Sequence, residues 1–136
     1  MRNIIYALLA LLIFPSCDKD EPATLIGTWM RTEVYAIDNA GNRSHNNLDY
    51  APTCEKDNLY QFTGNNEYYL KEGGNICQPS AESSDKYELL ENGTKIKFQK
   101  GGLWMIESLS GASLTVKQAL PPGVGFKEIV TIFKRR

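Results

Sequence analysis

From Thr24 to the C-terminus, apolar residues fall on alternate positions in short runs, and Gly, Asn, Ser and Pro separate the runs. A period of two sends successive side chains to opposite faces of a strand, whereas an amphipathic helix needs apolar residues three and four apart over ten or so positions. No long segment after Thr24 has that helical spacing. The pattern predicts an all-β domain with strands at 25–37, 57–63, 67–72, 86–91, 94–99, 103–109, 113–119 and 125–134.

Turn chemistry sets the pairing of these strands. Asn92-Gly93 is a favoured two-residue turn because both of its central positions require positive φ. It aligns Leu89 with Ile96 and Tyr87 with Phe98 on an apolar face, and Glu88 with Lys97 on the other. One hairpin earlier, a three-residue loop Gly64-Asn65-Asn66, with Asn66 left-handed, keeps Tyr60, Phe62, Tyr68 and Leu70 on one face. A slip of one residue would expose all four. Lys100-Gly101-Gly102 is expected to return the chain with Phe98 facing Trp104 and Ile96 facing Ile106. A turn around Ser110-Gly111-Ala112 would then set Ile106 opposite Val116 and Ser108 opposite Leu114, with Leu103, Met105 and Leu109 outside.

Antiparallel strands in sequential order close most simply into an eight-stranded up-and-down barrel, which leaves no exposed edge; a β-sandwich is the alternative. Asp38 to Lys56 is a long polar connection, long enough to act as a lid over one mouth. The expected interior is aromatic: Tyr60, Phe62, Tyr68, Tyr87, Phe98 and Trp104, with Gln118 and Ser108 as its rare polar members. A barrel of this size is either filled by such side chains or just wide enough for one small ligand.

The N-terminus has a different character. Arg2 precedes an apolar run from Ile4 to Phe14, then Pro15-Ser16-Cys17 and the charged stretch Asp18-Lys19-Asp20-Glu21. A cation, a short apolar segment and a small residue before the cut make a signal peptide, and a bilayer-spanning helix would need about 20 apolar residues. The expected organisation is a signal peptide at 1–16, a tether at 17–23 and one β domain at 24–136.

Exported proteins fold where disulfides persist, which makes Cys54 and Cys77 the expected pair. The register of the Tyr60–Leu70 hairpin, followed outward, brings them within one residue of opposite positions.

A net charge of −1 provides no basic field for nucleic acid. The single histidine, His45, lies among polar loop residues, and no nucleophile, base and orienting group share a spacing that would make a catalytic site. The sequence therefore points to no enzyme, no metal and no cofactor.

Three features resemble known families. Ser16-Cys17 resembles the lipobox of bacterial lipoproteins, which implies a diacylglycerol on Cys17 and so a lipidated tether at 17–23, and Lys19-Asp20-Glu21 is similar to the export signal of surface lipoproteins in Bacteroidetes. Gly27-Thr28-Trp29 resembles the Gly-x-Trp element of lipocalins. The order that follows, a cysteine before Tyr60 and Phe62, then Tyr68, a second cysteine and Asn92-Gly93-Thr94, resembles the lipocalin-like domain of Bacteroidetes lipoproteins. The resemblance implies that Gly27 and Trp29 are structural, with Trp29 packed on a cation near the chain end, Arg135 or Lys134. It also implies a protein of the outer membrane, exposed at the cell surface.

Two functions are then expected. The first is capture of a small apolar or aromatic ligand by Tyr60, Phe62, Tyr68, Tyr87, Phe98, Trp104 and Gln118. The second is an accessory subunit of an envelope protein complex, held by the outer face of the last strand, where Glu128 to Phe133 is apolar on both sides.

Overall fold

The computed structural model describes residues 23–136, so the signal peptide, Cys17 and nearly all of the tether lie outside the described residues. Eight strands run β1 (Gly27–Asp38), β2 (Leu59–Phe62), β3 (Glu67–Lys71), β4 (Ser83–Leu90), β5 (Lys95–Phe98), β6 (Leu103–Leu109), β7 (Ser113–Ala119) and β8 (Phe126–Arg135). Each pairs antiparallel with the next, and β8 pairs with β1 to close the barrel. This is the up-and-down barrel, not the sandwich.

The first hairpins follow their turn signals. Tyr60 pairs with Leu70 and Phe62 with Tyr68, and Asn66 takes a φ of 61°. Tyr87 pairs with Phe98, Glu88 with Lys97 and Leu89 with Ile96. Leu89 is nonetheless 45% exposed, although its partner Ile96 is fully buried.

Two registers differ from expectation. Ile96 faces Trp104 rather than Ile106, and Phe98 closes its turn on the carbonyl of Gly102. The loop is therefore Gln99-Lys100-Gly101, a shift of two positions that preserves which residues face inward. In β6 a bulge falls between Ile106 and Ser108, so Leu109, not Ser108, pairs with Leu114. Leu109 turns onto the core and Ser108 becomes exposed.

One end of the barrel is sealed by Trp29, fully buried, whose indole N–H donates to the carbonyl of Leu25 at 2.9 Å. The Arg135 guanidinium carbon lies 4.3 Å from the centre of the Trp29 ring, and its nitrogens donate to the carbonyls of Thr24, Ile26 and Gly111. Arg135 is thus the cation on Trp29, and Lys134 is exposed. A side chain at Gly27 would collide with that guanidinium, and its φ of 146° also suits glycine.

The other end is the mouth. The long connection there is not a free lid. It folds back along β1, where the Val34 and Ala36 amides donate to the side-chain oxygens of Asn46 and Ser44. It then forms a 3₁₀ turn (Asn47–Tyr50) with Leu48 buried, followed by one helical turn, α1 (Thr53–Lys56). Cys54 in α1 is bonded to Cys77 in the β3–β4 connection, which ties two neighbouring loops of the mouth together. Asp57 completes the tie, since its Oδ2 accepts from the backbone of Gly74 and Asn75.

Candidate functional site

The aromatic residues expected inside are inside, and they touch one another. Phe62 lies 5.1 Å from Tyr68 and 5.2 Å from Tyr87 between ring centres, and Tyr60 lies 5.1 Å from Phe133. These tilted and edge-to-face contacts fill the middle of the barrel. Phe62 is 1% exposed, and the Tyr87 hydroxyl, at 2.8 Å from the carbonyl of Thr63, holds the β2–β3 turn. Tyr60, Phe62 and Tyr87 are therefore packing residues that form the floor under the site.

Toward the mouth the packing opens. Tyr68, Phe98 and Trp104 converge, with 5.1 Å between Tyr68 and Phe98 and 4.9 Å between Phe98 and Trp104. They line a cleft of about 250 Å³ that opens between the start of β4 and the β5–β6 loop, with Gln118 on its rim. The strands explain the convergence: Phe98, Trp104 and Gln118 occupy inward positions near the mouth ends of β5, β6 and β7, and Tyr68, at the turn end of β3, meets Phe98 and Trp104. Gly101 and Gly102, both at φ above 100°, keep the rim free of side chains.

One polar group lines this cleft, and another lies behind it against the aromatic floor. Asp85, two residues before Tyr87 on the same face of β4, lines the cleft, and its carboxylate accepts from the amides of Lys86 and Lys100. Across the barrel, Arg31 lies 5.2 Å from the centre of the Tyr60 ring and donates to the carbonyl of Glu55 in α1 at 3.0 Å. Burial pushes the Tyr60 and Tyr68 phenols above the usual tyrosine range despite the pull of Arg31 on both. Both phenols are therefore neutral at physiological pH, able to donate as well as accept.

Of the candidate ligand residues, then, the structure gathers Tyr68, Phe98, Trp104 and Gln118 at one cleft and assigns Tyr60, Phe62 and Tyr87 to the floor. Sequence reasoning missed Arg31, Asn58 and Asp85. Their signal is parity: Arg31 is two residues after Trp29, Asn58 two before Tyr60 and Asp85 two before Tyr87. In an alternating strand that spacing puts a side chain on the same face as its buried neighbour. Among the described residues no three His, Cys, Asp or Glu side chains converge as metal ligands.

An eight-stranded closed barrel with an internal aromatic cluster, an N-terminal Gly-x-Trp plug and a cleft at the opposite mouth defines a lipocalin-type architecture. Residues 25–116 match the model of the lipocalin-like domain, and the chain belongs to that family. Among solved structures it is similar to apocrustacyanin C2 at 14% identity, with a TM-score of 0.40, over 82% of this chain and 60% of that one. No curated protein gives a significant match.

Proposed function

We propose that this protein is a lipid-anchored, non-catalytic binding protein that holds a small apolar or aromatic ligand at the mouth of its barrel. The observation that carries the reading is the cleft itself, walled by Tyr68, Phe98 and Trp104 with Gln118 at its rim. Concave, mostly aromatic surfaces with a few oriented polar groups are the usual form of small-molecule sites. The test is titration of the mature domain with 1-aminoanthracene, a neutral aromatic fluorophore, followed by its emission and by quenching of tryptophan. Saturable binding that Trp104→Ala weakens about tenfold or more supports the reading. No binding, or binding indifferent to Trp104, overturns it.

The anchor and address rest on Ser16-Cys17 and Lys19-Asp20-Glu21. Acyl carbons contribute about 0.8 kcal/mol per buried methylene, so two or more chains on Cys17 hold a domain of this size firmly on a bilayer. The site is the outer membrane, with the domain facing out. Metabolic labelling with radioactive palmitate should mark the wild type and not Cys17→Ala, and protease added to whole cells should remove the domain.

The rival reading, an accessory subunit gripped through the outside of the last strand, has lost much of its surface. Val130 and Phe133 are each 1% exposed, and Leu109 faces the core. Leu103 and Phe126 remain exposed, and they are the residues such an envelope partner would cover.

A further inference from the structure

The barrel interior holds a positive charge that its packing does not account for. Arg31 sits beneath α1, against Tyr60, and of its donors Nη2 reaches the carbonyl of Glu55. Its Nε is buried with no acceptor, and none of the ion pairs among the described residues includes it. Arg31 as a whole is half-buried, but a buried N–H of a charged group left without an acceptor is costly, and such a donor is suited to an anion from outside the chain.

The neighbours of Arg31 share the same incompleteness. The β1–β2 ladder ends at Met30 opposite Leu59, and continuing it by one residue sets Arg31 opposite Asn58. Asn58 is 2% exposed, and its Oδ1 is likewise buried without a partner. Tyr60 and Tyr68 come next, their ring centres 6.4 Å apart. Tyr87 gives its hydroxyl to Thr63 and Tyr69 to Glu67, but no such bond engages the Tyr60 or Tyr68 hydroxyl among the described residues. The guanidinium and the two neutral phenols thus offer donors that the protein leaves unused, while the orphan Asn58 Oδ1, an acceptor, needs a donor of its own. Of the carboxylates around these groups, Asp85 is already occupied by backbone amides, and Glu55, whose charge helps raise the Tyr60 phenol, is in none of the ion pairs among the described residues.

We infer that Arg31, the Tyr60 hydroxyl at the floor of the cleft and the Tyr68 hydroxyl form the polar end of the ligand site, and that the ligand is an amphiphilic organic carboxylate. Its anionic group lies on Arg31 and its apolar body along Tyr68, Phe98 and Trp104. Tyr68 joins the two halves, since it belongs both to the cleft wall and to the pair with Tyr60. A planar guanidinium suits a carboxylate better than any other side chain does. The inference rests on the binding function proposed above and adds the charge of what is bound.

The experiment uses two ligands of nearly the same shape, 2-naphthoate and its uncharged amide 2-naphthamide, titrated calorimetrically into the mature domain. The wild type should bind the carboxylate about tenfold or more tightly than the amide, the scale of one charge-assisted hydrogen bond. Arg31→Gln should abolish that preference while leaving affinity for the amide in place, and Arg31→Lys should restore much of it. Equal affinity of the wild type for both ligands would overturn the anion site while the binding function stands. A preference that survives Arg31→Gln would overturn the assignment of Arg31. Failure of both ligands, together with 1-aminoanthracene, would remove the binding function and this inference with it.

Discussion

The guanidinium of Arg135 lies over the indole of Trp29, 4.3 Å from its centre, and reaches three backbone carbonyls on two separate segments. The last strand thereby locks the segment that enters the first, and the barrel floor is sealed by residues 106 positions apart in the chain. Arg135→Ala removes the cation–π contact and leaves those carbonyls to find other donors, so it should cost about 2 kcal/mol of unfolding free energy. Arg135→Lys should recover only part of that, because an ammonium cannot span the three carbonyls as a planar fork does. Urea unfolding followed by tryptophan fluorescence checks both.

Cys54→Ser should lower stability by about 3 kcal/mol, the chain-entropy value for a loop of this length. Cysteines 23 apart in sequence close the loop through α1, β2 and β3. The variant should also free the thiol of Cys77, which a maleimide label and intact mass will detect. Two free thiols in the oxidised wild-type protein would contradict the bond.

Floor and cleft should separate under mutation. Phe62 is almost fully buried among Tyr68, Tyr87 and Trp104, so Phe62→Ala should cost about 3–5 kcal/mol. Trp104 is only partly buried at the cleft, and Trp104→Ala should cost less stability while removing most of the affinity for 1-aminoanthracene. Thermal melts and fluorescence titrations on the same two variants decide this.

Alkaline pH should unfold the domain through its tyrosines. Burial raises the phenols of Tyr60, Tyr68 and Tyr87 above their ordinary value of 10.0. A group whose pKa is raised by folding binds its proton more tightly in the native state. Stability from these groups is therefore full below pH 10 and falls as the pH rises from there toward the native values. Absorbance at 295 nm should show the buried phenols ionising together with loss of structure, and Tyr68→Phe should move that midpoint upward.

How far the sequence revealed this molecule depended on what enforced each feature. Asn66 and Asn92-Gly93 fixed two hairpins because few residues tolerate positive φ, and the register beyond each turn followed. Gly101-Gly102 carried less information, since adjacent glycines accept more than one loop, and Phe98 met Gly102 instead of pairing with Trp104. The β6 bulge left only a faint mark: Ile106 and Leu109 are three apart, a spacing that plain alternation cannot place on one face. The anchoring of residues 38–56 was hidden for another reason. Ser44 and Asn46 bind the β1 backbone through their side chains, and those residue types look the same in a loop bonded to solvent. Arg31 and Asn58 were legible by parity but ran against the rule that charge and amide groups face outward, and such exceptions gather where a protein meets a ligand.

The opposite ends of the barrel are secured by bonds of different kinds. At the Trp29 end, Arg135 and the indole hold by contact, and at the mouth Cys54 and Cys77 hold by a covalent link. A mild reductant therefore separates two properties that heating destroys together. It frees α1 from the β3–β4 connection that leads into the cleft wall at Ser83, while the aromatic stack and the plug beneath it have no thiol to lose. On the binding function proposed above, entry and release of a ligand should quicken on reduction before the fold gives way, so that the redox state of the surroundings sets how long a ligand stays.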